Sequence, residues 1–353
     1  MPVTQSLIRT EFSPEATYLN TASHGLLPAR TAEALHSLMR DMTAGRIDMP
    51  AYFAVEDEAR AAFARLAGVP ASRVATGNAV SVHTGLVAAS LPQGAEVLAA
   101  EGDFVSVLNP FAERPDLKLR TVPLERLLSS VEESTALVTV SAVQSADGRT
   151  ADLAALREAT RAVGARLLVD ASQAMGWLPV DAADLDFMVC AGYKWLLGPR
   201  GVSYLTVSEE AQRSGALLPL HAGFTASERP WDDCYGTLAH PARDARRFDE
   251  STGFFAYVGA ARSLSLLEEI GPEAIGAHDR ALAARFREGL ARLGHEPVPG
   301  DAAIVSVPGL DGVAGRLAEA GVVVSARDGN LRAAFHLYNT EDDVDRLLNA
   351  LEG

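Results

Sequence analysis

The sequence predicts an α/β protein built on a largely parallel sheet. Residues 166–207 hold three short apolar runs (166–170, 186–191 and 201–207), each bounded by Gly, Pro or Asp. Runs this short and this apolar read as strands covered on both faces. A β-branched run at 136–141, a helical stretch from Asp152 to 163 and the run ending at Asp170 form a strand–helix–strand unit, which favours parallel pairing. Hydrophobic residues make up 48% and charged residues 22% of the 353, the balance of a globular chain with a sizeable core.

The elements follow in order. Tyr18 to Gly25 reads as a strand and turn before a helical pattern over 28–44. Val74 to Ser81 reads as a strand, a Gly/Asn turn and the start of a helix reaching about residue 91. That arrangement leaves backbone N–H groups unpaired at a positive dipole end, so it either binds an anion or is simply a helix start. A strand at 96–100 leads to Gly102-Asp103-Phe104-Val105-Ser106. Asp152 caps its helix and Gly164 ends it. Asp170 falls at a strand end, where open α/β sheets build their sites. Residues 231–235 read as an irregular loop; from 254 the pattern changes to long helices, about 254–270 and 273–293, then short strands and helices.

Composition excludes several function classes. A net charge of −15 argues against nucleic acid and anionic membrane as partners. The two cysteines, Cys190 and Cys234, are too few for a disulfide framework and lack metal-ligand spacing, and the eight histidines show no i,i+4 pairing, so no metal site is expected. Cys190, inside an apolar run, reads as a small core residue. The opening MPVTQSLIRTEF has no signal-peptide core and no apolar run approaches membrane-spanning length, so a cytoplasmic location is expected.

Lys194 is the residue to explain. The chain has two lysines, Lys118 and Lys194, and its other basic side chains are arginines. A guanidinium stays protonated and cannot act as a nucleophile, whereas a desolvated lysine can lose its proton and form a Schiff base. The alternative is a stem lying on apolar surface with its head in water; the company of Asp170 and Gln173 favours the chemical reading.

D-x-x-Q at Asp170 and Gln173, then about twenty residues, then Gly192-Tyr193-Lys194-Trp195-Leu196-Leu197-Gly198-Pro199-Arg200-Gly201, resembles the cofactor segment of aminotransferase class V. That family of pyridoxal-phosphate enzymes includes cysteine desulfurases, isopenicillin N epimerase and hercynylcysteine sulfoxide lyases. The resemblance implies fold-type I: a large domain (21–253) with a mostly parallel seven-stranded sheet flanked by helices, a smaller C-terminal α/β domain (254–353) and an N-terminal segment (1–20) packing on the small domain. It implies pyridoxal 5′-phosphate as cofactor, Lys194 as its Schiff-base lysine and catalytic base, and Asp170 on the pyridinium nitrogen. Gln173 would bond the ring's phenolic oxygen, and Phe104 would stack on the ring where many relatives carry His. The phosphate would lie on the backbone N–H groups of Ala79 and Val80, helped by the Ser81 hydroxyl and by Tyr193, which stands where desulfurases have His. Arg246 to Gly253 resembles the family's R-F-E-x-G-T segment, so Thr252 would reach the phosphate of the other subunit in a homodimer with interfacial sites. Residues 331–340 resemble R-x-S-x-x-x-Y-N-T, making Arg332 the fork for the substrate carboxylate, with Ala334 replacing the serine. For Arg332 the alternative is an ion pair with Asp328 or Asp342. Ser23 and His24 would touch substrate. Ala142 stands where relatives often have Asn or His.

These parts can eliminate, transaminate or racemise. Residues 312–331 contain no cysteine, which disfavours a persulfide-forming desulfurase, and Cys234 would serve only if its loop reaches the site. The expected function is a C–S (β-elimination) lyase acting on a cysteine conjugate or its sulfoxide, with an aminotransferase or amino-acid epimerase as the alternative.

Overall fold

The computed structural model describes residues 5–251 and 253–352. The chain opens with α1 (Gln5–Glu11), β1 (Thr17–Tyr18), α2 (Ala29–Thr43) and α3 (Met49–Leu66). The sequence carries little sign of helix α3: its buried face mixes alanines (Ala59, Ala62, Ala64) and Phe63 with the charged Glu56 and Arg60, so apolar contrast is weak. Asp48 starts it, accepting the Ala51 N–H at 3.1 Å.

The sheet-forming part runs β2 (Val74–Gly77), α4 (Val80–Ser90), β3 (Glu96–Ala100), α5 (Val105–Ala112), β4 (Lys118–Val122), α6 (Leu124–Leu127), β5 (Thr135–Ser141), α7 (Leu153–Val163), β6 (Arg166–Asp170), β7 (Phe187–Ala191) and β8 (Ser203–Val207). The caps of α7 are those expected: Asp152 accepts the Ala155 N–H at 3.0 Å, and Gly164 closes the helix at φ +74°. After α8 (Glu209–Ser214) comes a stretch of turns and short 3-10 helices, then α9 (Phe254–Ile270) and α10 (Pro272–Arg292). The chain continues through β9 (Ile304–Pro308), α11 (Ala314–Glu319), β10 (Val322–Val323), β11 (Ser325–Arg327), β12 (Asn330–Ala334) and α12 (Glu341–Glu352).

Seven strands form one sheet in the order β2-β8-β7-β6-β5-β3-β4, as expected. All neighbours from β7 to β4 pair in parallel; β8 is antiparallel to both β7 and β2. β2 therefore runs in the same direction as the parallel strands. Successive side chains leave on opposite faces. Leu98, Val138, Val140, Leu167, Val169 and Met188 enter one core, while Val97, Leu137, Leu168, Phe187, Val189 and Leu205 enter a second on the other face. Covering on both faces is why these strands read as unbroken apolar runs.

A third core, with Phe286, Val305, Leu331, Phe335 and Leu347, joins α10 and α12 to the antiparallel sheet β11-β12-β9. β1 pairs in parallel with β10, and Leu19 joins this core. Helix α9 lies against α2 and α3 and adds Tyr257, Ala260 and Leu264 to the first core. Among the described residues no helix is long and apolar enough to cross a membrane.

Candidate active site

The topology delivers the polar residues to one edge of the sheet. β2, β3, β5, β6 and β7 all end there, followed by Asn78–Ser81, Asp103-Phe104, Ala142–Ser145, Asp170–Gln173 and Tyr193-Lys194 respectively. A cavity of about 240 Å³ opens at this edge, with Asp170, Lys194, Phe104 and Ser81 in its wall. A larger groove, about 390 Å³, lies around Leu124, Arg149 and Pro299. The arginine of that groove is already paired with Glu125 and Asp147, which leaves the smaller cavity as the reactive one.

Lys194 is buried, with 5% of its surface exposed, and its Nζ stands 5.0 Å from the Phe104 ring centroid. Burial pulls its amine below the ordinary lysine range; Asp170 acts the other way and Arg332 adds to the lowering. Burial pushes the Asp170 carboxyl up, opposed by Lys194 and by bonds from Ser172, whose N–H donates at 2.8 Å. Lys194 keeps its place because the 21–25 loop packs on its backbone: the Gly25 N–H donates to the Tyr193 carbonyl at 2.9 Å. A Cβ at Gly25 would come within 2.1 Å of the Lys194 carbonyl oxygen, so only glycine fits.

Helix α4 begins with no side-chain cap on Ala79. Its first residues, Val80 and Ser81, line the cavity together with Arg200 and Tyr193, and the first N–H groups of a helix have no intrahelical partner. The Arg200 guanidinium lies 4.5 Å from the Tyr193 ring centroid and donates to its hydroxyl at 3.4 Å. Asn78 donates to Glu250 at 2.9 Å and accepts from the Gly253 N–H at 3.2 Å, tying Glu250 and Gly253 to this end. Thr252 lies outside the described residues. Asp249 anchors the same segment through a buried pair with Arg60 at 2.8 Å.

Gln173 is placed behind the cavity, not in its wall. Its Nε2 donates to the Ala22 carbonyl at 2.9 Å and to Ser145 Oγ at 3.0 Å, and its Oε1 accepts from Trp195 at 2.8 Å. Arg332, 1% exposed, makes no ion pair with Asp328, Asp342 or any other acid among the described residues. It donates instead to neutral oxygens: Ser325 Oγ at 3.1 Å, the Ser145 carbonyl, Ser145 Oγ at 3.1 Å and Ser23 Oγ at 2.8 Å. Ser23 thus joins Arg332, whereas His24 sits beside Tyr193, ring centroids 5.6 Å apart. Ala142 is buried and donates its N–H to the Asp170 carbonyl. Cys190 is buried in the core, as expected, and Cys234 is exposed in its loop, away from the cavity.

The sequence reading left Asp103, Ser145 and Arg200 without a role. Asp103 is buried and accepts from the Ser141 N–H at 2.7 Å, the Ser141 hydroxyl at 2.5 Å and the Phe104 N–H at 2.6 Å. It therefore sets the loop carrying Phe104 against the end of β5. Its place one residue before Phe104, at the end of a strand, is the only sequence clue.

A buried lysine facing a buried carboxylate, an uncapped helix start and an aromatic ring, at the carboxyl edge of a seven-stranded sheet, fit pyridoxal phosphate. They define a fold-type I enzyme dependent on it. The aminotransferase class-V family model matches residues 57–347, and the chain belongs to that family. It is 29% identical to the uncharacterized aminotransferase YcbU of Bacillus subtilis (strain 168) over 83% of this chain and 82% of that protein. It is also 29% identical to isopenicillin N epimerase of Streptomyces clavuligerus, over 98% of this chain and 96% of that protein. Among solved structures, the apo cysteine desulfurase from Thermococcus onnurineus NA1 superposes with a TM-score of 0.86, covering 100% of this chain and 98% of that one. At 22% identity that likeness speaks to the fold.

Proposed function

We propose that this chain is a C–S lyase that releases the β-substituent of a cysteine conjugate or its sulfoxide, acting as a cytoplasmic homodimer. The supporting observation is Arg332, a buried cation whose partners are all neutral oxygens. Burying a charge without a counter-charge is costly, and an incoming anion, here the substrate carboxylate, would offset that cost.

Pyridoxal phosphate, when bound, supplies the sink for the electrons left at the substrate Cα. Lys194 would hold it, Asp170 would keep its ring nitrogen protonated, and Phe104 would cover its face. The N–H groups of Val80 and Ser81, with the Ala79 turn, the Ser81 hydroxyl, Tyr193 and the partner subunit's Thr252, would take its phosphate. Once the substrate amine has taken its place on the cofactor, the freed Lys194 Nζ, of lowered basicity, would take the Cα proton. The pair left by the Cα–H bond would form Cα=Cβ as the Cβ–S pair departs on sulfur, and the proton held on Lys194 Nζ would be available to the leaving thiolate. Gln173 and His24 hold the frame: Gln173 fixes Trp195 and Ser145, and His24 packs on Tyr193.

Phe104 bears on the choice of reaction. A phenyl ring cannot donate or accept a proton, so Phe104 can cover the cofactor face but cannot serve as a second base. Epimerisation would then rest on Lys194 alone or on another donor, and it stays an alternative beside the 29% identical isopenicillin N epimerase. Persulfide formation is disfavoured by Cys234, which is exposed and donates to the Pro230 carbonyl at 3.3 Å, outside the cavity wall. Transamination is the second reading, favoured by the relative named as an aminotransferase. Incubation with S-substituted cysteines decides. Pyruvate and ammonia in equal amounts support the lyase; amino transfer that requires a keto acid and releases no ammonia supports the alternative.

A further inference from the structure

We infer that the substrate carries a second acidic group on its side chain, received by Arg327 beside Arg332. This rests on the reading above, in which Arg332 takes the α-carboxylate.

Two guanidiniums converge on one hydroxyl: Ser23 Oγ accepts from Arg332 at 2.8 Å and from Arg327 at 3.3 Å. Like charges brought this close repel unless an anion lies between or beside them. Neither arginine has an acidic partner among the described residues; Arg332 is buried and Arg327 stands exposed above it. Arg327 Nη1 is spent on the neighbouring Ala326 carbonyl at 2.7 Å.

The placement is built into the backbone. Arg332 lies opposite Ser325 in the β11–β12 register, and Arg327 opposite Asn330. Cross-strand partners share a face, and so do residues two apart, so Arg327 and Arg332 are diagonal neighbours on one face. The connecting pair is Asp328-Gly329, at φ +49° and +74°, the positive-φ pair that a tight hairpin needs. Such a turn fixes the register and holds the exposed Arg327 at the outer end of a file that leads inward through Ser23 to the buried Arg332. Burial, helped by Arg327, pulls the Arg332 guanidinium down to about 10. An acidic substituent on the substrate would neutralise the outer cation as the α-carboxylate neutralises the inner one.

The test compares S-carboxymethyl-L-cysteine with S-carbamoylmethyl-L-cysteine, its neutral isostere, on the holoenzyme. The acid is expected to be favoured about tenfold in kcat/KM, and Arg327→Gln to bring the two substrates together. No preference in the wild type, or a preference that Arg327→Gln leaves intact, overturns the inference. A second readout does not need turnover: glutarate should raise the Tm of the holoenzyme more than glutaramate does, and Arg327→Gln should abolish the difference. If no S-substituted cysteine is processed yet glutarate stabilises selectively through Arg327, the lyase reading fails and the two-anion site stands. Equal stabilisation by both compounds counts against the site, whatever the reaction.

Discussion

Gln173 and Arg332 meet on one hydroxyl. Ser145 Oγ accepts from Gln173 at 3.0 Å and from Arg332 at 3.1 Å, and the Ser145 carbonyl accepts from Arg332 as well. A single residue after β5 thereby joins the loop after β6 to strand β12 of the C-terminal layer. Cofactor frame and carboxylate fork are set relative to each other through it.

Ser145→Ala should therefore loosen Arg332 without emptying the cofactor site, because Gln173 retains the Ala22 carbonyl and Trp195. The expected result is a KM raised about tenfold with a smaller change in kcat. Steady-state kinetics on holoenzyme, with cofactor content measured alongside, checks it.

Arg332→Met separates function from stability. The buried cation has no counter-charge, so an apolar side chain of similar length should cost little fold stability, while kcat/KM drops about a hundredfold or more. Thermal unfolding and kinetics on the same preparation read the two effects. A collapse of Tm comparable to the loss of activity would point to a structural arginine.

Gly25→Ala puts a methyl group 2.1 Å from the Lys194 carbonyl, against backbone that cannot swing away. The 21–25 loop or the 192–198 turn must shift, at a cost of about 1–3 kcal/mol. Lower cofactor occupancy and a lower Tm are expected together, measured by absorbance and by thermal unfolding.

Stability at mildly acid pH should depend on His83. The ring is buried and its Nε2 has no hydrogen-bond partner among the described residues; burial pulls its pKa from 6.5 to about 4. Between those values the unfolded chain binds the extra proton, so this contribution is full above 6.5 and is lost as pH falls towards about 4. The loss amounts to about 3 kcal/mol. Asp249 opposes it over part of the window: burial pushes its carboxyl up to about 6, so there the folded state holds the extra proton. His83→Asn should lose less stability than wild type between pH 7 and pH 4.5, by chemical denaturation at both values.

Six of the seven strands were legible because they are buried on both faces, and Lys194 because lysine is so rare in this chain; edge strand β4 was not, since it is half exposed and carries Lys118 and Arg120. Helix α3 was not, since an alanine-rich face hides its period. Gln173 could be found by its spacing from Asp170, but that it stands behind the cavity depends on Trp195 and Ala22, which only the fold brings near. The meeting of Ser23, Ser145, Arg327 and Arg332 was out of reach for the same reason: positions some three hundred residues apart come together through the pairing of β1 with β10 and the bridge from Asn20 to Ala334.

The most direct measurement is borohydride reduction of the cofactor-loaded protein, followed by peptide mapping by mass spectrometry. A reduced pyridoxyl adduct on the peptide carrying Lys194, absent from Lys118 and from the Lys194→Ala variant, is the predicted result. An adduct at Lys118, or full activity in Lys194→Ala, would contradict the account.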